Sequence, residues 1–155
     1  MIKIREATPK DNEALINLNL ELIKFEKAFE PDLKIDDETK KFLDEWITKD
    51  FKSKDWKSFV AEDNGEIVGF ISGRIGKRYK FYKTQVFGDA ENAFVIESYR
   101  NKGVAKQLMA ELVVWMKSKG VERIEASTYW KNTAAQDIWR KMGFKEHMII
   151  FEKRI

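Results

Sequence analysis

The 155-residue chain has no cysteine, a single histidine and only two prolines. Without cysteine there can be no disulfide, no thiolate metal site and no covalent cysteine intermediate. With His147 as the only imidazole, a multi-histidine zinc site cannot be assembled within one chain, and no metal is expected. Pro9 and Pro31 both precede residue 32, which argues against a Pro-rich linker or a disordered half. No apolar run approaches the roughly 20 residues needed to span a bilayer, so no membrane partner is expected. The opening MIKIREATPKDNEAL lacks an apolar stretch ahead of a small-residue cleavage site, and a cytoplasmic location is the expectation. Net charge is only +3, too little to argue for nucleic-acid binding.

What the chain does have is a sizeable apolar fraction, 43%, with 35% charged residues to solvate it. No repeat or low-complexity stretch divides it, so one domain over 1–155 is the simplest organisation. Ile2 to Arg5 alternate as a short strand. Thr8, Pro9 and Asp11 read as a capped helix start, with Leu15, Leu18, Leu22, Phe25 and Phe29 along one face and Pro31 as the stop. A second helix is predicted over 37–49. Residues 58–62 and 66–74 are strand-like, joined by Asp63-Asn64-Gly65, a hairpin signal. Residues 76–89 form a basic, aromatic connection. Ala93 to Ile96 read as a buried central strand. A helix over 103–118, a strand over 121–128, a helix over 132–142 and a strand over 144–153 complete the pattern. The order β-α-α-β-β-β-α-β-α-β predicts an α/β fold built on a mixed sheet.

The stretch Val95 to Lys106 joins the short strand to the long helix. Gly103 and Ala105 open that helix, where backbone N–H groups lack helical partners. Those groups and the helix dipole favour an anion such as pyrophosphate, and Arg100, Lys102 and Lys106 add positive charge. Neither G-x-G-x-x-G nor G-x-x-x-x-G-K-[ST] occurs. Arg-x-x-Gly-x-Ala alone fits an ordinary helix start; the strand–loop–helix context points to a phosphate loop.

Arg100 to Ala105 resembles the Arg/Gln-x-x-Gly-x-Gly/Ala loop of the GNAT N-acetyltransferase family. Downstream, Asn132-x-x-Ala135-x-x-x-Trp139-x-x-x-Gly143-Phe144 resembles that family's Asn-x-x-Ala-x-x-x-Tyr-x-x-x-Gly-Phe, with tryptophan in the tyrosine's place. The resemblance implies a mostly antiparallel mixed sheet flanked by helices, with the fourth and fifth strands splayed. It also implies acetyl-CoA as co-substrate. Asn101, Lys102, Gly103, Val104, Ala105 and Lys106 would hold the pyrophosphate. Ala93, Phe94 and Val95 would pair with the pantetheine arm, and an N–H near Val95 would polarise the thioester carbonyl. Asn132 and Ala135 would meet the cofactor arm. Homodimers are common in the family.

Acyl transfer to an amine needs a neutral nucleophile, and a lysine-like amine has a pKa of about 10.4. Glu91, four residues before Val95, is the leading candidate base and acceptor contact; the competing reading is a solvated strand residue. Glu97 is a second acidic candidate in the loop. Phe25-Glu26 resembles the Tyr-Glu pair of diamine acetyltransferases, which would place Glu26 at the acceptor; acidic helices are also ordinary solvated faces. Residues 21–50 hold ten acids against six lysines, which suits a cationic acceptor. Trp139 stands where the family keeps its general acid, yet indole donates only weakly and the residue also fits a core stripe. Tyr129, Tyr99 and His147 are the alternative donors. The expected function is direct acetyl transfer from acetyl-CoA to a primary amine, a polyamine or similar small amine. Transfer to protein N-termini or lysines, and a non-catalytic acyl-CoA sensor, are the rival readings. The basic, aromatic segment at 77–83 reads as a loop rimming the acceptor site rather than a nucleic-acid surface.

Overall fold

A computed structural model describes residues 1–155. β1 (Lys3–Glu6), α1 (Asn12–Glu26) and α2 (Asp37–Asp50) come first. β2 (Trp56–Asp63), β3 (Glu66–Lys77) and β4 (Val86–Val95) follow, then α3 (Val104–Ser118), β5 (Ile124–Ala126) and α4 (Thr133–Lys141). The strands form one sheet in the order β1-β2-β3-β4-β5, antiparallel except for the parallel β4–β5 pair. This is the mixed sheet that the element order predicts, mostly antiparallel as the family resemblance implies.

Local chemistry sets the elements. Thr8 N–H donates to Asp11 Oδ2 at 2.7 Å, and the Arg5 guanidinium grips both Asp11 oxygens at 2.8 Å. The Arg5 bond holds the Asp11 carboxyl down to about 2. Asn64 and Gly65 both have positive φ, 50° and 85°, the geometry of a tight two-residue hairpin. The sheet's two faces carry separate cores, as period-two alternation requires. Phe59, Ala61, Val68 and Ile71 pack under α3, whose Leu108, Leu112 and Met116 are fully buried. Val60 and Phe70 face Leu15, Leu18, Leu43 and Ile47 of α1 and α2. Glycine lets α3 lie close to the sheet: a Cβ at Gly73 would sit 2.6 Å from Leu112 Cδ1, and one at Gly88 would strike Met116 Sδ.

Four expectations need correction. β4 is ten residues long rather than four, and its Gly-Asp-Ala-Glu-Asn run disguises it because those residues are sparse in strands. Ala93 is exposed and Phe94 to Ile96 are half-buried, because β5 does not reach that far along β4. α1 closes at Glu26, and turns continue the chain to Glu30 ahead of Pro31. Phe144 to Lys153 is not a strand: Met148 to Phe151 are exposed, and Arg154 instead reaches Asp32 at 3.0 Å. A strand beside three-residue β5 would gain few ladder bonds and no second face to pack against. No helix is long and apolar enough to cross a membrane.

Candidate active site

The site lies where β4 and β5 part. Their pairing ends at Ala90 and Ala126. Glu91 is the next residue, and it is the extra one in a β-bulge: Ser72 pairs with Asn92 and Gly73 with Ala90, so Glu91 has no partner. Bulges re-aim side chains and are common at functional sites. Here the bulge turns Glu91 into the sheet's interior. Its Oε1 accepts from Arg74 Nε at 2.7 Å, while its Oε2 is buried with no hydrogen-bond partner. Burial pushes the Glu91 carboxyl up, and the Arg74 guanidinium opposes this only in part. A raised carboxyl lies nearer neutral pH, where a general base works best. The solvated-strand reading of Glu91 therefore does not hold. A narrow cleft beside it is lined by Asn19, Trp46, Asp50, Trp56, Ser72 and Asn92.

Past the bulge, β4 pairs only with β3. Ile96 N–H donates to Val68 O, so by antiparallel alternation the N–H and C=O of Val95 and Ala93 face the open edge. Of these, the N–H groups of Ala93 and Val95 and the carbonyl of Ala93 are free main-chain groups of the kind an extended arm can pair with, while the Val95 carbonyl is taken within the chain. Arg100 Nε donates to Val95 O at 2.9 Å, and its guanidinium lies between the Phe25 and Phe94 rings at 5.6 and 5.3 Å. Arg100 thus ties the loop to β4 and to the end of α1.

The loop itself needs left-handed backbone at Asn101 and Gly103, with φ of 59° and 78°. The first helical bond of α3 runs from Gln107 N–H to Gly103 O, leaving the N–H groups of Val104, Ala105 and Lys106 without helical acceptors. The Lys102 ammonium sits 5.2 Å from the Tyr99 ring, and Asn101, Lys102 and Lys106 are exposed around that end. This arrangement fits a diphosphate: unpaired donors, the helix dipole and exposed cations lie at one helix end.

Other predicted residues are placed less directly. Asn132 is buried, and its Oδ1 caps α4 by accepting from Ala135 N–H at 3.1 Å, so only its amide nitrogen remains for a ligand. Trp139 packs edge-on against Phe144 at 5.0 Å, a packing role. Tyr99 O–H is committed to Asp63 at 2.8 Å, and His147 lies on the exposed tail. Tyr129 remains: burial pushes its hydroxyl up, as do the charges of Glu26 and Glu30, so this phenol faces the end of α1. Burial also raises the Glu26 carboxyl. Glu97 is exposed on a short turn. The Tyr79, Phe81 and Tyr82 rings stack together on the exposed β3–β4 loop.

Sequence reasoning missed Arg74 and Asp50. Arg74 Nη2 donates to Asp50 Oδ2 at 2.7 Å, and Asp50 is buried. The available signal was a lone arginine inside the apolar strand Glu66 to Ile75, a placement that requires a partner.

The chain is 33% identical over 100 residues to the aminoglycoside N(6')-acetyltransferase type 1 of Salmonella typhimurium, covering 63% of this chain and 69% of that protein. It is 30% identical over 87 residues to N-alpha-acetyltransferase 30 of Schizosaccharomyces pombe, 56% of each. Among solved structures, the aminoglycoside N-acetyltransferase AAC(6')-Iy in complex with CoA superposes with a TM-score of 0.79 at 25% identity, over 100% of this chain and 96% of that one. The same enzyme bound to the bisubstrate analogue CoA-S-monomethyl-acetylneamine gives 0.76 at 26% identity, over 100% and 99%. The family model for the acetyltransferase (GNAT) family matches residues 20–144, which span both the bulge and the Arg100–Ala105 loop, and the chain belongs to that family.

Proposed function

We propose that this N-acetyltransferase moves an acetyl group from acetyl-CoA directly onto a primary amine of a small polycation, the class that includes polyamines and aminoglycosides. The observation that carries the reading is the unpaired, buried Oε2 of Glu91 at the point where β4 and β5 diverge. Acetyl-CoA supplies an activated acyl thioester. The amides of Val104, Ala105 and Lys106 would hold its diphosphate, and the free edge at Ala93 and Val95 would hold its pantetheine arm. Asn132 would meet that arm through its amide nitrogen. Glu91 Oε2 accepts the ammonium proton, directly or through a water, and frees the nitrogen lone pair. Val95 N–H is the open-edge donor available to a carbonyl oxygen where charge develops. The half-buried Glu26 and the Tyr129 hydroxyl form the acceptor's far wall, and acid there suits a second ammonium.

Resemblance to the amino-sugar and N-alpha enzymes makes the acceptor the open term, and protein N-termini are the second reading. Release of CoA thiol from acetyl-CoA tests both, with spermidine, diamines, an amino sugar and N-terminal peptides as acceptors. The cysteine-free chain adds no background to a thiol reagent. Release with the small polycations is expected. Release with peptides alone would favour the second reading, and CoA binding without turnover on any amine would favour a sensor. We also propose a homodimer, supported by the exposed Met148, Ile149, Ile150 and Phe151 of the tail. Sedimentation at twice the 18.3 kDa chain mass is the expected result.

A further inference from the structure

Arg74 is the one cation placed in the interior beside the proposed base. Its side chain spans two acids from different elements. Nε donates to Glu91 Oε1 on β4, and Nη2 donates to Asp50 Oδ2 at the end of α2, each at 2.7 Å. Both carboxylates are sheltered from solvent, with side-chain exposures of 16% and 7%. The fork geometry matters: one guanidinium can serve two carboxylates at fixed separation, whereas an ammonium is a point charge with freely rotating donors. The bond to Arg74 uses Oε1 and leaves Oε2 without any partner. A carboxylate in a bulge without such a clamp could rotate about its last torsion and present either oxygen.

We propose that Arg74 is a positioning residue for the transfer reaction: it clamps one oxygen of Glu91 to buried Asp50 and leaves the other as the one unbonded oxygen of the proposed base. This rests on the reading of Glu91 as the base. The charged groups acting on Glu91 are Arg74 from β3, Asp50 from α2 and Asp89 from β4. α1 presents the neutral Asn19, and the remaining cleft residues Trp46, Ile47, Trp56, Ser72 and Asn92 carry no charge. Asp50 and Asp89 disfavour ionisation of Glu91, and Arg74 is the group that counters them.

The test is a carboxyl NMR titration of Glu91 in ligand-free protein labelled on glutamate side chains, run beside the pH profile of kcat/KM. In Arg74→Met the loss of the cation should move the Glu91 midpoint upward by about one unit or more. The acid limb of activity should move with it, giving a roughly tenfold loss below the limb and recovery above it. Asp50→Asn removes a like charge and should move both midpoints downward. Arg74→Lys should restore most of the midpoint but not the full rate, because a single ammonium cannot hold both oxygens in register. Opposite shifts from the two neighbours are something a merely structural role would not produce. Superimposable profiles, or shifts in the same direction, overturn the proposal. If Arg74→Met does not fold, the Asp50→Asn and Arg74→Lys pair decides by the same signs. An acid limb that survives in Glu91→Gln overturns the base reading and this proposal with it. A limb that depends on Glu91 but ignores Arg74 overturns the proposal alone.

Discussion

Residues 1–121 and residues 122–155 are built on different terms. The first region contains every buried residue but one; the second contributes only Asn132. In the first, α3 presses a continuous apolar stripe onto the sheet, and α1 with α2 covers the other face. In the second, α4 has a clear apolar side yet buries none of it, and β5 is three residues long. The family's two motifs are divided between them. The Arg100 to Ala105 motif stands on the packed region, and the Asn132 to Phe144 motif stands on the open one. On the proposed reading the packed region would carry the diphosphate loop and Glu91, and the open region would meet only the cofactor arm through Asn132, where loosely packed elements can re-form around a ligand at lower cost.

The sharpest way to probe the packed region is through its chemistry. Glu91→Gln keeps shape and removes the proton acceptor, and kcat/KM should fall by about 10²–10⁴-fold with CoA affinity unchanged. Calorimetric CoA titration beside the thiol assay separates the two. Leu108→Ala should lower unfolding free energy by about 2–5 kcal/mol in urea, since the side chain is fully buried under the sheet. Gly73→Ala adds a methyl against Leu112 and should cost about 1–3 kcal/mol by the same measurement. The Arg5–Asp11 clamp gives a pH signature. Asp11 is depressed in the folded chain, so its contribution is present above the ordinary carboxylate value and fades as pH falls from about 4 to about 2. The effect is on the order of 1 kcal/mol because Arg5 is partly in solvent, and Arg5→Ala should flatten melting temperature against pH in that window. The smallest effect should come from the open region: Ile150→Ala should shift monomer stability by less than about 0.5 kcal/mol. A large loss there, vanishing on dilution, would show that the tail is buried between copies.

Much of this was legible before the structure. Thr8, Pro9 and Asp11 announced their turn, Asn64-Gly65 their hairpin, and the stripe from Val104 to Met116 its helix, because each signal is local. The loop from Arg100 to Ala105 was legible because backbone geometry there demands particular residues at fixed spacing. The clamp on Glu91 was not. It joins positions 50, 74 and 91, and only the β3–β4 register with its bulge brings them together. The tail was misread for a related reason. Phe144 to Lys153 carries the apolar run Met148 to Phe151 that a strand could use, but a strand also needs an edge long enough to receive it, and β5 is not. Trp139 stands at the family's general-acid position and on the helix's apolar stripe alike, and the structure packs it against Phe144 and the core.

The close seating of α3 over Gly73 and Gly88 has a kinetic consequence. A helix wedged this tightly cannot piston along the sheet, so the amides at its start hold their positions before any ligand arrives. Capturing the diphosphate proposed to bind there would demand almost no ordering of the chain. Association should then be governed by encounter and charge steering, with residence time left to the more loosely packed residues around Asn132.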